Sequence, residues 1–103
     1  MIFRRRFADV IERQLGVFAA DEAALLVEVR NAEQAYNRAE RDEAEEKYGD
    51  YVDVVETATE ALADMRDRFK RTLDEDAAEE YEAAFNRAVK RRWPPFGLEI
   101  ENR

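Results

Sequence analysis

The stretch ERDEAEEKYGDY, residues 40–51, decides how this chain folds, because the longest apolar rows of the sequence lie on either side of it. Before it, Leu25, Val29, Ala32, Tyr36 and Ala39 step by four and three, the spacing of a coiled-coil seam. After it, Tyr51, Val55, Ala58, Leu62, Met65 and Phe69 step in the same way, out of phase with the first row by about one residue. Two helices separated by a break are therefore expected. Within the stretch, Tyr48-Gly49-Asp50 carries the best turn signal of the chain, since Gly suits the end of one helix and Asp the cap of the next, the alternative being a helix continuous through Gly49 at a cost of about 1 kcal/mol. The polar run 40–47 keeps helical propensity, with Glu43 and Lys47 in the favourable i, i+4 order. The expectation is an antiparallel hairpin of long helices, 22–47 and 51–72, that turns at Gly49 and sets Leu25 against Leu73, Val29 against Phe69 and Tyr36 against Leu62.

Outward from the hairpin, Phe3, Phe7, Val10, Ile11, Leu15 and Phe18 predict an N-terminal helix over about 3–18. Asp21 is the expected cap of the helix that follows. Thr72 with Glu75, or Asp76 with Glu79, offers a capping pair for a C-terminal helix over about 74–92, which presents Ala78, Tyr81, Ala84, Phe85, Ala88 and Val89 on one face. That helix must stop before Pro94. Phe96, Leu98 and Ile100 alternate with polar or small neighbours, so 94–103 reads as an extended tail strapped over a helical-bundle domain, 1–93.

The fold class is thus all-α, and composition narrows the chemistry. The 103 residues include no Cys, no His and no Ser, with three Gly and two Pro. Disulfides, thiolate nucleophiles and the commonest metal ligands and general bases are excluded. No catalytic residue, metal ligand or cofactor is assigned, and enzyme activity is not expected. An Arg/Glu site in a cleft of a dimer, making the chain an enzyme or small-ligand binder, is the one catalytic alternative. No window reaches the about 18 consecutive apolar residues of a membrane span, and the arginine run at the N-terminus lacks the apolar stretch of an export signal, so a cytoplasmic location is expected.

The formal charge is −8, from 25 acids against 17 bases. That balance opposes unaided binding to a phosphate backbone. Two basic clusters stand out against it: Arg4, Arg5 and Arg6, and Lys90, Arg91 and Arg92 beside the aromatic Trp93. The first is expected to pair with an acidic segment of the same molecule, such as 74–82 or the 40–46 tip. The second matches the helix dipole at its own helix end, with Trp93 as a packing anchor. If folding brought the two clusters to one face, they would serve a nucleic-acid-binding regulator, which is the alternative reading.

In the expected register Glu43 and Glu46 face Val55 and Val52. Tyr48, Tyr51, Val52 and Val55, with Tyr36 and Leu62 along the seam, are then short of apolar cover. The leading expectation is a non-catalytic helical interaction module, a scaffold or regulator, that covers this seam by pairing as a homodimer.

Overall fold

The apolar rows condense into helices, as their periods require. A computed structural model describes residues 6–103; Arg4 and Arg5 lie outside the described residues. Five α-helices form, α1 Ala8–Asp21, α2 Ala23–Arg38, α3 Ala44–Lys70, α4 Glu75–Arg92 and α5 Gly97–Asn102, with a 3-10 turn at Pro94–Phe96 between α4 and α5. No strand occurs among the described residues. The result is a helical hairpin, α2 on α3, packed with an N-terminal and a C-terminal helix into a small bundle.

The helical faces are those that the sequence marks. Ile11, Leu15 and Phe18 of α1 are buried together with Phe7 just before it, and so are Tyr81, Phe85 and Val89 of α4. The two helices run side by side in the same direction: Phe7 meets the ring of Tyr81 edge-on, and Phe18 meets that of Trp93 in the same way. The cap of α4 is Asp74, which accepts a hydrogen bond from the Ala77 amide at 2.9 Å, in place of Thr72 or Asp76. Asp21 caps nothing. α1 continues through it, and the backbone only kinks at Glu22, whose amide still donates to Phe18 and whose carbonyl accepts from Leu26.

The turn of the hairpin is not at Gly49. The chain leaves α2 at Ala39, which is extended, and turns through 41–43, so α2 is shorter and α3 longer than the expected 22–47 and 51–72. Gly49 lies inside α3. The register shifts accordingly, and Tyr36 meets Tyr48 and Tyr51 in place of Leu62. At the same register Val55 stands level with Val29, and both are buried. The physical reason is a comparison of costs. A glycine inside a helix costs about 1 kcal/mol, whereas setting glutamates against Val52 and Val55 forfeits about 1.5–3 kcal/mol for each valine left uncovered.

The tail follows the bundle as a strap, but its conformation is helical. Phe96 and Ile100, four residues apart, are buried, while Leu98 is 77% exposed. Period four governs it, not the period two that an extended segment requires. Close packing of α5 on α4 uses Gly97, where a Cβ would stand 2.9 Å from Cγ of Lys90.

The molecule measures 50 × 24 × 24 Å. With 27 residues at 1.5 Å each, α3 spans about 40 Å and runs nearly its whole length. Its C-terminal half lies in the bundle with α4 and α5. Its N-terminal half has α2 as its hairpin mate, and no residue from 30 to 54 is buried. The hairpin therefore projects from the bundle as an arm.

Gly49→Ala tests this register. A Cβ at that position meets nothing within 4 Å, so the substitution is expected to raise the free energy of unfolding by about 1 kcal/mol in urea titrations. A turn at Gly49 would make it destabilising.

Candidate functional site

Three tyrosines mark the arm. Tyr36 and Tyr48 pack with ring centroids 5.2 Å apart, and Tyr51 stacks on Tyr36 at 6.4 Å with the rings nearly parallel. These contacts tie the two helices together but do not enclose the rings: Tyr36 stays 37% and Tyr48 52% exposed. Partial burial and the neighbouring Glu33 carboxylate hold the Tyr51 hydroxyl above its ordinary pKa. Val52 is half-buried beside them. The other two seam candidates are enclosed within the monomer, Val55 at 6% exposure and Leu62 at 0%. The accessible part of the seam is thus Tyr36, Tyr48, Tyr51 and Val52.

At the root of the arm the end of α4 supplies positive charge. Lys90, Arg91 and Arg92 are exposed and, among the described residues, none of them forms an ion pair. Arg92 lies over the Trp93 ring at 5.0 Å. Trp93 itself is half-buried between Phe18 and Phe96, which makes it a packing residue with one edge outward. Two depressions flank Arg92. One, of about 420 Å³, runs between α1 and α4 over Ile11, Leu15 and Ala88, with Glu12, Arg87 and Arg91 at its rim. The other, of about 190 Å³, lies between α2 and the 3-10 turn, walled by Leu26, Trp93 and Pro95 and edged by Arg30 and Glu33.

The two basic clusters are set apart. Arg6 packs over Phe7 and pairs with Glu80 at 3.6 Å, within the acidic segment 74–82. Along α4 that contact is about 16 Å from Arg91. One molecule therefore does not bring Arg6 and the Lys90–Arg92 cluster to a common point.

The polar group that periodicity overlooks is Arg66. It is 1% exposed, yet its guanidinium donates to Asp67 Oδ1 at 2.9 Å, Asn86 Oδ1 at 3.0 Å, the Ile100 carbonyl at 3.1 Å and the Arg103 carbonyl at 2.7 Å. The last two lie at the C-terminal end of α5, where Ile100 also accepts the Arg103 amide at 3.3 Å and a cation meets the negative pole of the helix. The signal was its place in the row Thr59, Leu62, Arg66, an arginine at a core position. Tyr81, 0% exposed, donates its hydroxyl to Gln14 Oε1 at 2.7 Å and so links α4 to α1. Every buried side-chain polar atom among the described residues has a partner. These groups are thus bound to one another, although Arg66 and Asp67 also border a depression of about 410 Å³ with Lys70, Glu82 and Arg103. No group of three or more carboxylates is gathered for a metal ion among the described residues, and no helix there is long and apolar enough to cross a membrane.

Comparison with known proteins finds no matching family model, no curated relative and no similar solved structure.

Replacing Arg66 by Met is expected to cost about 3 kcal/mol in urea unfolding, because it takes the donor from the Arg103 carbonyl and the Asn86 side chain and leaves the buried Ile100 carbonyl with the Arg103 amide alone. The loss of amide protection should concentrate in α5, with Arg66→Lys recovering only part of it.

Tyr81 gives a pH signature. Burial pushes its hydroxyl up to about 12, against the lowering effects of Gln14 and Arg66, whereas an unfolded tyrosine titrates near 10. The neutral form is favoured in the folded state, so its contribution is complete below about pH 10 and lost as pH rises through about 12. The loss amounts to about 2–3 kcal/mol. Tyr81→Phe should flatten this alkaline decline in denaturation series taken from pH 9 to 12.

Proposed function

We propose that this chain is a non-catalytic helical interaction module, a scaffold or regulator, that acts by self-association of its projecting arm. The carrying observation is the absence of any buried residue from 30 to 54, although that segment holds Tyr36, Tyr48, Tyr51, Val52 and Val54. A two-helix hairpin standing alone encloses only the inner half of its apolar rows. Two such arms laid together make a four-helix packing unit that encloses the rest, and a two-fold pair is the simplest closed form of it. A cytoplasmic setting suits a chain without cysteine.

The mechanism is presentation of charge on a rigid frame. The acidic tip and the basic end of α4 are both held on helices, so pairing fixes their spacing for whatever the assembly contacts. The catalytic alternative has less support, because the arginine with the deepest burial already has four acceptors from the protein itself.

Sedimentation of the purified protein at micromolar to high micromolar concentration tests the reading, with twice the chain mass as the expected result and a compact monomer throughout as the result that overturns it. Tyr48→Glu together with Val52→Glu should shift the protein to monomer while leaving its helical circular dichroism intact. Val55 is unsuitable for that test, since it belongs to the monomer core.

A further inference from the structure

Unmatched charge is separated along the long axis of this molecule. At the tip of the arm, residues 40–46 carry Glu40, Asp42, Glu43, Glu45 and Glu46 against the single base Arg41. None of these carboxylates forms an ion pair among the described residues. At the root, Arg91 and Arg92 are equally unmatched. The tip and the root cannot meet within one molecule, because α2 carries the tip about 15 Å beyond the cleft at Arg30, and an intact helix does not fold back.

The apolar groups are offset in the same direction. Tyr48, the most exposed aromatic residue of the arm, lies level with Tyr36. The cleft between α2 and the 3-10 turn lies level with Leu26 to Glu33, about 10 Å nearer the bundle. Glu33 edges the cleft and also stands against the Tyr51 hydroxyl, so the cleft and the tyrosine cluster adjoin on the same side of the molecule.

From this arrangement we infer that two copies pair antiparallel, arm against arm, with each acidic tip on the partner's Arg91 and Arg92 and each Tyr48 in the partner's cleft beside Trp93. This rests on the self-association reading above and deepens it by naming the surfaces. A two-fold axis crossing the arms near Glu33 brings tyrosine to cleft and tip to root by the same rotation. One register thereby satisfies the apolar and the charged match together, and it does so twice, as a self-complementary contact requires. The seated aromatic supplies most of the affinity. The rim charges set orientation and make the pair sensitive to salt. A tip-to-tip pairing, by contrast, would set like charges against each other.

Charge exchange tests the arrangement. Arg91→Glu with Arg92→Glu reverses the root, and Glu40→Arg with Asp42→Arg and Glu45→Arg reverses the tip, leaving Glu43 and Glu46 against four arginines. All five side chains are exposed, and circular dichroism checks that each variant keeps its helices. Each of the two variants alone is expected to dimerise at least tenfold more weakly in sedimentation equilibrium at low salt. An equimolar mixture of the two should restore association as a heterodimer, and the variant that combines all five substitutions should restore the homodimer, since both contacts are then complementary again. A wild-type dimer that neither reversal weakens overturns this arrangement and leaves self-association standing. A monomeric wild-type chain overturns both. So does a monomer that binds duplex DNA and loses it on root reversal, since the root would then serve nucleic acid.

Discussion

The guanidinium of Arg66 is the constraint on which the rest of the structure depends. Removing such a charge from water costs several kcal/mol unless hydrogen bonds replace the lost hydration. Here the replacements come from three places at once: Asp67 on its own helix, Asn86 on α4, and the carbonyls of Ile100 and Arg103 at the end of α5. Satisfying one side chain therefore fixes the mutual positions of α3, α4 and the C-terminal segment. The Lys70–Glu82 ion pair joins α3 to α4 on the same side. Tyr81 performs the corresponding task for α1 through Gln14, in an aromatic cluster with Phe7, Phe69 and Phe85.

Concentrating these contacts at one end leaves the other end with little. The bundle encloses Leu62, Phe85, Val89, Phe96 and Ile100 completely or nearly so, while the arm encloses nothing from 30 to 54. A chain of this length has a limited store of apolar groups, and this one spends them unevenly. Rigidity in the base and incomplete cover on the arm are consequences of the same distribution. They give the proposed pairing its physical basis: a stiff projection whose tyrosines pack on one another yet stay partly uncovered, and whose tip carboxylates form no ion pair among the described residues.

Local periodicity made much of this legible. Phe7, Ile11, Leu15 and Phe18 can share a face only in a helix, as can Tyr81, Phe85 and Val89, and Pro94 sets the end of α4 wherever that helix packs. The errors lie where one local signal admitted two answers. Gly49 offered a turn, and 39–43, with neither Gly nor Pro, offered none, yet the chain turns at the latter. The mismatch of Glu43 and Glu46 with the valines was itself a sign of the wrong register, although it could equally be read as an uncovered seam. In the tail, Phe96 and Ile100 fit both period two and period four, and Leu98, the residue that separates the two, faces solvent. Arg66 stands four residues after Leu62 at a core position, but a sequence does not reveal which acceptors will converge on it there.

By itself the sequence determined that the chain is helical, which faces of its first and fourth helices turn inward, and which classes of chemistry its missing residue types forbid. Those properties follow from spacing and composition, which act within a few turns of the backbone. Only the tertiary structure decided where the hairpin reverses, that the C-terminal segment coils instead of extending, and that an arginine anchors the core. Each of these depends on energies between residues far apart in the chain, where the cover of a valine or the pairing of a buried charge outweighs the about 1 kcal/mol that local preference commands.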